Sequence, residues 1–359
     1  MSDRVDEHSG GGRAVVVLSS RDLDADLAFF EGRLGFRLLS IEPADAPARI
    51  ELEGFGLHLR LDRTVPETAA TLVLPGPPSG AVGDGAWQAP NGTRILWPGE
   101  SGAVPRPVCP AMLLQRASAG EGWHVGRAGM LYRDLVPDRL GGGAIASHIR
   151  IPEGGPVADR VHFHEVRFQL IHCLAGWVDL VYEDQGAQFR LQAGDGLIQP
   201  PGIRHRVLHA ADGLEVLEVG LPAEHPTRFD PDLALPTATV RPDRLFEGQR
   251  FLHYRRSAAA WRTDEGGAFG IWSTDVETAS GGAAAVRIWR AAASDASVAD
   301  RDGTDIRLLF IAAGSVHRRV AEEPSFALAA GDALVLPASE VMALEDPSAD
   351  FEMVEVALR

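Results

Sequence analysis

Residues 155–176, GPVADRVHFHEVRFQLIHCLAG, and residues 194–209, GDGLIQPPGIRHRVLH, decide how this chain is read. His162 and His164 are two apart, and on a strand such residues point to the same side. Gln169 is an odd number of residues from both, so strict alternation turns it away. It rejoins their face only across a turn or bulge, for which Glu165-Val166-Arg167 leaves room. His205 follows Pro200-Pro201-Gly202, a turn that starts a new strand. Imidazole is the commonest transition-metal ligand, and three neutral ones leave positions open for water or substrate. His209 lies four residues after His205, so an undisturbed strand puts both on the interior face, where His209 shuttles a proton or orients a ligand. In the strand before the first stretch, His148 and Arg150 alternate with Ile149 and Ile151. The apolar pair suits a core; if the polar pair faces in, Arg150 anchors a substrate carboxylate. Arg167, Tyr182 and Gln199 are weaker candidates for the pocket. His172 alternates against Ile171 and Cys173 and is expected outside, whereas Cys173, Tyr132, Phe168 and Trp177 suit a core.

In the spacing, turn residues and ligands of these two stretches, everything from about residue 128 onward resembles the cupin superfamily. The family usually has Glu where Gln169 stands and often Asn where His209 stands. The resemblance implies a β-barrel of jelly-roll type and one divalent transition metal held by His162, His164, His205 and Gln169. Gln169 would bind through its amide oxygen or hydrogen-bond a metal-bound water. Ligand type alone does not select the metal: Fe is favoured, with Zn, Ni or Mn as alternatives. The fold hosts many reactions, so three function classes stay open. Many three-histidine cupins are mononuclear non-haem Fe(II) dioxygenases that cleave diketones, thiols or phenolic substrates, which is the first class. Redox-neutral isomerases, cyclases or lyases form the second, favoured slightly because Gln replaces a carboxylate that could act as base. A non-catalytic binder, its fourth metal position closed by His209 or another side chain, is the third.

At 359 residues the chain suggests two or three domains, and 39 Gly with 24 Pro fit many short strands joined by tight turns. A net charge of -16 argues against nucleic-acid and anionic-membrane partners and leaves a small-molecule substrate. Two cysteines, Cys109 and Cys173, imply no disulfide framework. The polar, Gly-rich start MSDRVDEHSGGGR has no apolar signal core and no apolar run reaches membrane-spanning length, so a cytoplasmic location is expected. The Gly-rich patches at Gly10–Gly12 and Gly141–Gly143 lack the strand-to-helix context of a phosphate cradle.

The fold expected is mainly β: two cupin-type barrels in tandem, preceded by a small α+β module of βαβββ order over residues 1–105. In that module Ser19, Ser20 or Asp22 caps a helix through Leu23, Leu27, Phe29, Phe30 and Leu34, which Gly35 ends. Short strands follow around Phe36–Ile41, Arg49–Glu53 and Leu57–Leu61. With "DLDADLAFFEGRLGFRLL" the module resembles half of a glyoxalase-like (vicinal oxygen chelate) unit, through "APNGTRILWP". Such units supply metal ligands from strand positions; here the first strand offers none and Glu51, Glu53 and His58 are expected to face solvent, so the module reads as non-catalytic. Its uncovered sheet face or edge should pack on a neighbour or another chain, and a homodimer is expected. Residues 106–127 read as a surface linker, 128–225 as the metal-bearing barrel and 226–244 as a second linker.

Residues 245–359 repeat the middle segment. Gly314 lies on Gly176, and "LAAGDALVLPAS" on "LQAGDGLIQPPG". In that register Asp300 and Asp302 replace His162 and His164, Arg307 replaces Gln169, and Met342 replaces His205. A guanidinium opposes a cation and Met is a poor ligand for a hard or borderline metal, so this copy should be metal-free.

Overall fold

The computed structural model describes residues 14–43, 46–67, 70–78, 85–97, 105–117, 122–126, 129–264, 266–292, 298–300, 306–320, 323–338 and 340–359. The chain divides into two compact units, residues 1–103 and 104–359. In the first, β1 (Val16–Ser19), α1 (Leu23–Leu27), β2 (Arg37–Glu42), β3 (Arg49–Gly54) and β4 (Leu57–Asp62) give the expected βαβββ order. The sheet runs β1-β4-β3-β2 with β1 parallel to β4. The Asp22 carboxylate caps α1 by accepting from the Ala25 N–H at 3.1 Å. The expected helix does not stay α to Leu34. Residues Ala28–Arg33 widen into a π turn, in which the Leu34 N–H donates to the Phe29 carbonyl, and the adjacent Phe29 and Phe30 both reach the core. Gly35 ends the segment at φ +79°. Glu51 and Glu53 lie on the sheet face opposite buried Leu52 and Leu59 and pair with Arg60 and Arg37. His58 sits beside Glu51 on that face. A smaller sheet of β5 (Thr71–Val73), β6 (Gly85–Gln88) and β7 (Arg94–Trp97) completes the unit's apolar cluster.

The second unit is two barrels built to one plan. The first uses β9 (Trp123–Val125), β10 (Leu131–Asp134), β11 (Ile145–Ile151), β12 (Gly155–Pro156), β13 (His162–His164), β14 (Phe168–Ala175), β15 (Trp177–Tyr182), β16 (Phe189–Gln192), β17 (Gly196–Ile198), β18 (His205–Ala210), β19 (Leu214–Leu221) and β20 (Thr227–Phe229), after β8 (Leu113–Gln115). The second barrel follows a hairpin of β21 (Leu245–Phe246) and β22 (Gln249–Arg250), and then β23 (Leu252–Tyr254). It uses β24 (Arg262–Thr263), β25 (Phe269–Ser273), β26 (Ala284–Ala291), β27 (Val298–Asp300), β28 (Ile306–Ala313), β29 (Ser315–Val320), β30 (Glu323–Ala329), β31 (Ala333–Leu336), β32 (Met342–Glu345) and β33 (Glu352–Leu358). One large sheet is ordered β23-β17-β14-β19-β11-β10-β9 and the other β8-β31-β28-β33-β26-β25-β24. The smaller sheets are β16-β15-β18-β13-β20 and β27-β32-β29-β30. Register repeats as well as order: His162 faces His205, and Asp300 faces Met342; Gln169 faces Gly220, and Arg307 faces Ala357.

Each barrel borrows a strand from the segment that precedes the other. β8 pairs with β31 of the second barrel, and β23 pairs with β17 of the first. The segment 106–127 is therefore not a simple surface linker, because β8 and β9 extend two different sheets. The segment after residue 226 also departs from the expected linker: β20 lies against the histidine strand β13. A shared apolar cluster, including Leu170, Leu217, Leu308 and Val354, joins the large sheets of the two barrels. No helix among the described residues is long and apolar enough to cross a membrane.

Candidate metal centre

The alternation of β13 turns His162 and His164 to one side, and the β13–β18 pairing sets His162 directly opposite His205. The ligand nitrogens of the three histidines lie within 4.8 Å of one another, and His162 and His205 are almost fully buried. Their second nitrogens are committed elsewhere. His162 Nδ1 bonds the Arg160 carbonyl at 2.7 Å and His205 Nδ1 the Ile203 carbonyl at 3.1 Å. A carbonyl only accepts, so both rings carry the proton on Nδ1 and keep the in-plane lone pair on Nε2. His164 Nδ1 meets Thr227 Oγ1 on β20 at 3.0 Å. Tyr182 stacks on His205 with ring centroids 5.2 Å apart. Burial pushes its phenol above the ordinary tyrosine range, so it stays neutral beside the site.

Gln169 reaches the same cavity by the route the sequence required. β13 ends at His164 and β14 begins at Phe168 in the other sheet, so the break at Glu165–Arg167 resets the alternation. Gln169 is 1% exposed, and its Nε2 donates to Glu218 Oε1 at 2.6 Å. A carboxylate partner fixes which end of the amide is nitrogen. The opposite end, Oε1, is buried and accepts no hydrogen bond among the described residues.

Two expected site residues lie elsewhere. His209 does not share the cavity with His205, because a bulge in the β15–β18 pairing inserts an extra residue at Leu208. Val207 lines the cavity with His205, while His209 turns outward to stack on Trp177 at 5.6 Å. It therefore cannot shuttle protons at the metal or close its coordination shell. Arg150 is also displaced: Ser147, Ile149 and Ile151 line the histidine cavity, and Arg150 points from the opposite face of β11 into a separate cavity. Of the weaker candidates, Tyr182 and Gln199 line the histidine cavity. Arg167 instead reaches the Arg359 carbonyl at 3.2 Å. His172 does face out of the barrel, yet it is 1% exposed, because β23 covers that face and Tyr254 Oη lies 3.0 Å from its Nδ1.

The cavity, about 360 Å³, has apolar walls that include Ile149, Ile171, Val178 and Leu180, and the histidines share it with polar residues such as Gln169, Gln199, Glu218 and Thr227. Among the lining residues that escaped the sequence reading are His225 and Glu218. His225, the last residue of the expected barrel segment, packs edge-on to His164 with centroids 5.7 Å apart. Glu218 brings a carboxylate into the cavity, the group whose absence at position 169 had tilted the reading towards redox-neutral chemistry. A signal for it existed: "LEVLEVGL" at 214–221 lies on "FEMVEVAL" at 351–358, which sets Glu218 on Glu355.

In the second barrel Met342 is fully buried and Arg307 is 1% exposed, its Nη2 donating to the Glu340 carbonyl at 2.5 Å. Trp289 occupies the register of Ile149, and its indole N–H donates to Glu355 at 2.7 Å. The backbone of Asp300 takes the register of His162; Asp302 lies outside the described residues. Among the described residues the three histidines of the first barrel form the single cluster able to hold a metal ion.

Residues 147–220 match the cupin domain. No curated protein matches the chain. Among solved structures it is similar to a mutant of Bacillus subtilis oxalate decarboxylase (11% identity, 70% of this chain and 78% of that one, TM-score 0.52). It is also similar to the protein Ylba from E. coli (11% identity, 72% and 95%, TM-score 0.51) and to procruciferin, an 11S globulin from Brassica napus (11% identity, 69% and 84%, TM-score 0.50). At such identities the likeness is one of fold, and it accounts for a pair of jelly-roll barrels.

Proposed function

We propose that this chain, with a cupin domain in its first barrel, is a mononuclear metal-dependent enzyme that uses dioxygen to oxidise a small, largely apolar organic molecule. The observation that carries the reading is a triad of Nδ1-anchored histidines in an otherwise mostly apolar cavity of about 360 Å³. The residues fit a divalent transition ion: three imidazoles converge, and the buried Gln169 Oε1 is an acceptor that a cation would satisfy. His162, His164 and His205 would hold the ion, with Gln169 beside them, and Fe(II) is the preferred candidate. Bound there, such an ion would supply an electrophilic centre with redox chemistry.

The other roles fall to the chain's own side chains. Ile149, Ile171, Val178 and Leu180 exclude water and receive the apolar body of the substrate, which strengthens every polar contact made inside. The carbonyl anchors and Tyr182 hold the imidazoles in a fixed orientation. Glu218, held by Gln169, offers its carboxylate to a substrate hydroxyl as a hydrogen-bond acceptor.

A second reading, a redox-neutral lyase, no longer draws support from a missing carboxylate, but Glu218 could serve it as a base, and oxalate decarboxylases share the two-barrel fold. Metal analysis of protein purified without added metal, together with oxygen uptake on diketones, phenols and thiols, separates the two. Bound iron and substrate-dependent oxygen consumption are expected. Tightly bound zinc or manganese, with no oxygen consumed on any substrate, would replace the dioxygenase by the lyase.

A further inference from the structure

A second cavity, about 300 Å³, lies at the seam between the two barrels, on the far side of β11 from the histidines. Trp123, Arg133, His148, Arg150, Glu215 and Phe310 are among its lining residues. Part of this lining is common to both barrels. Arg150 lies over the Trp123 ring at 4.5 Å and bonds Glu215 at 2.9 Å; at the equivalent registers Arg290 lies over Trp261 at 4.0 Å, with Glu352 alongside. This arrangement is common to both barrels, whereas the histidine group is not.

Arg133 and His148 are not kept. The same registers in the second barrel hold Trp272 and Ile288. The first barrel therefore buries a guanidinium and an imidazole, 3% and 5% exposed, where its sibling has apolar side chains. Burying charge without a counter-charge is costly. Arg116 has Asp332 at 2.8 Å and Arg150 has Glu215, but among the described residues Arg133 has no carboxylate at ion-pair distance, and Asp332 and Glu215 reach it only at longer range. Its Nη2 donates to the Gly331 carbonyl at 2.6 Å and lies 3.3 Å from His148 Nδ1, and its Nε has no acceptor. Arg116, Arg133 and Arg150 against Asp332 and Glu215 leave one positive charge on the cavity's polar side, within a chain of net charge -16.

We infer that this seam cavity binds a small aromatic carboxylate, with Arg133 and Arg150 clamping the carboxylate and Trp123 and Phe310 receiving the ring. A planar fork matches a carboxylate, one uncompensated charge calls for a monoanion, and the aromatic walls call for a flat apolar body. The site is independent of the metal reading, since its residues lie on the other face of β11.

Benzoate is the probe, titrated calorimetrically at fixed ionic strength, with inorganic phosphate as the competing anion. Binding should weaken at least tenfold in Arg133→Met and in Arg150→Met, and stay unchanged in His162→Ala and in Arg290→Met, the equivalent arginine of the second barrel. Arg150 is half exposed, so its variant carries the test if Arg133→Met fails to fold. The inference is overturned if wild-type protein does not bind benzoate, if Arg150→Met binds it undiminished, if His162→Ala abolishes binding, or if phosphate binds more tightly than benzoate.

Discussion

The two barrels share strand order and register, yet one encloses a cavity and the other, among its described residues, sets bulky side chains at the equivalent positions. Where the first has Ile149, Gln169 and His205, the second has Trp289, Arg307 and Met342, all nearly inaccessible. The filled barrel packs Phe269, Trp289, Leu309, Phe351 and Met353 into a continuous core. The hollow barrel leaves room between Ile149, Val178 and Leu180 and gathers imidazoles in the space. One plan thus has two outcomes: dense packing stabilises one copy, and an incompletely filled interior leaves the other a cavity of small-molecule size.

Exchanging equivalent positions tests this contrast, beginning with the largest effect. His205→Ala should reduce bound metal to background by elemental analysis, while Met342→Ala leaves metal content as in wild type; metal retained in the first variant would break the assignment. Trp289→Ala should cost roughly 3–5 kcal/mol in denaturant unfolding with no change in metal content. A loss of metal there would mean that the filled barrel is no passive support. Gln169→Leu should weaken metal binding about 10–100-fold, measured by competition with a chelator, because an oriented acceptor beside the ion is removed.

The smallest effect at neutral pH concerns His172, whose register in the second barrel is held by Phe310. Complete burial pushes its imidazole down to about 3. Between the ordinary imidazole range, near 6.5, and that value, the unfolded chain binds a proton that the folded one does not. Stability is then fully present above about pH 6.5 and falls as pH drops, by at most about 1.4 kcal/mol per unit from this group. His172→Phe should flatten that part of the stability profile; an unchanged acid slope would remove His172 as its source.

Much of this was legible in the sequence because turns and alternation are local. The histidine pair, the break that returns Gln169 to the cavity and the repeat of the barrel in residues 245–359 all follow from spacing and turn chemistry, and of the three caps the sequence offered, Ser19, Ser20 and Asp22, the structure uses Asp22. What misled was also physical. A single extra residue at Leu208 reverses the alternation after Val207, and nothing in "HRVLHA" announces it, so His209 turns away from the metal. The choice between Arg150 and Ile149 depends on which barrel face is emptier, a property of the assembled sheets. His225 was hidden because it stands just before β20, in a Pro-rich stretch whose continuation read as connection but pairs with the histidine strand.

The reciprocal loan of β8 and β23 bears on how the chain matures during synthesis. As the ribosome releases the first barrel, the outer edge of β17 stands bare until residues 252–254 emerge, and β8 waits far longer for β31. An unpaired strand edge is a template for association with other chains, and pairings so distant in sequence form slowly. A fragment ending before β23 should accordingly clump, whereas the intact chain closes both edges with its own strands.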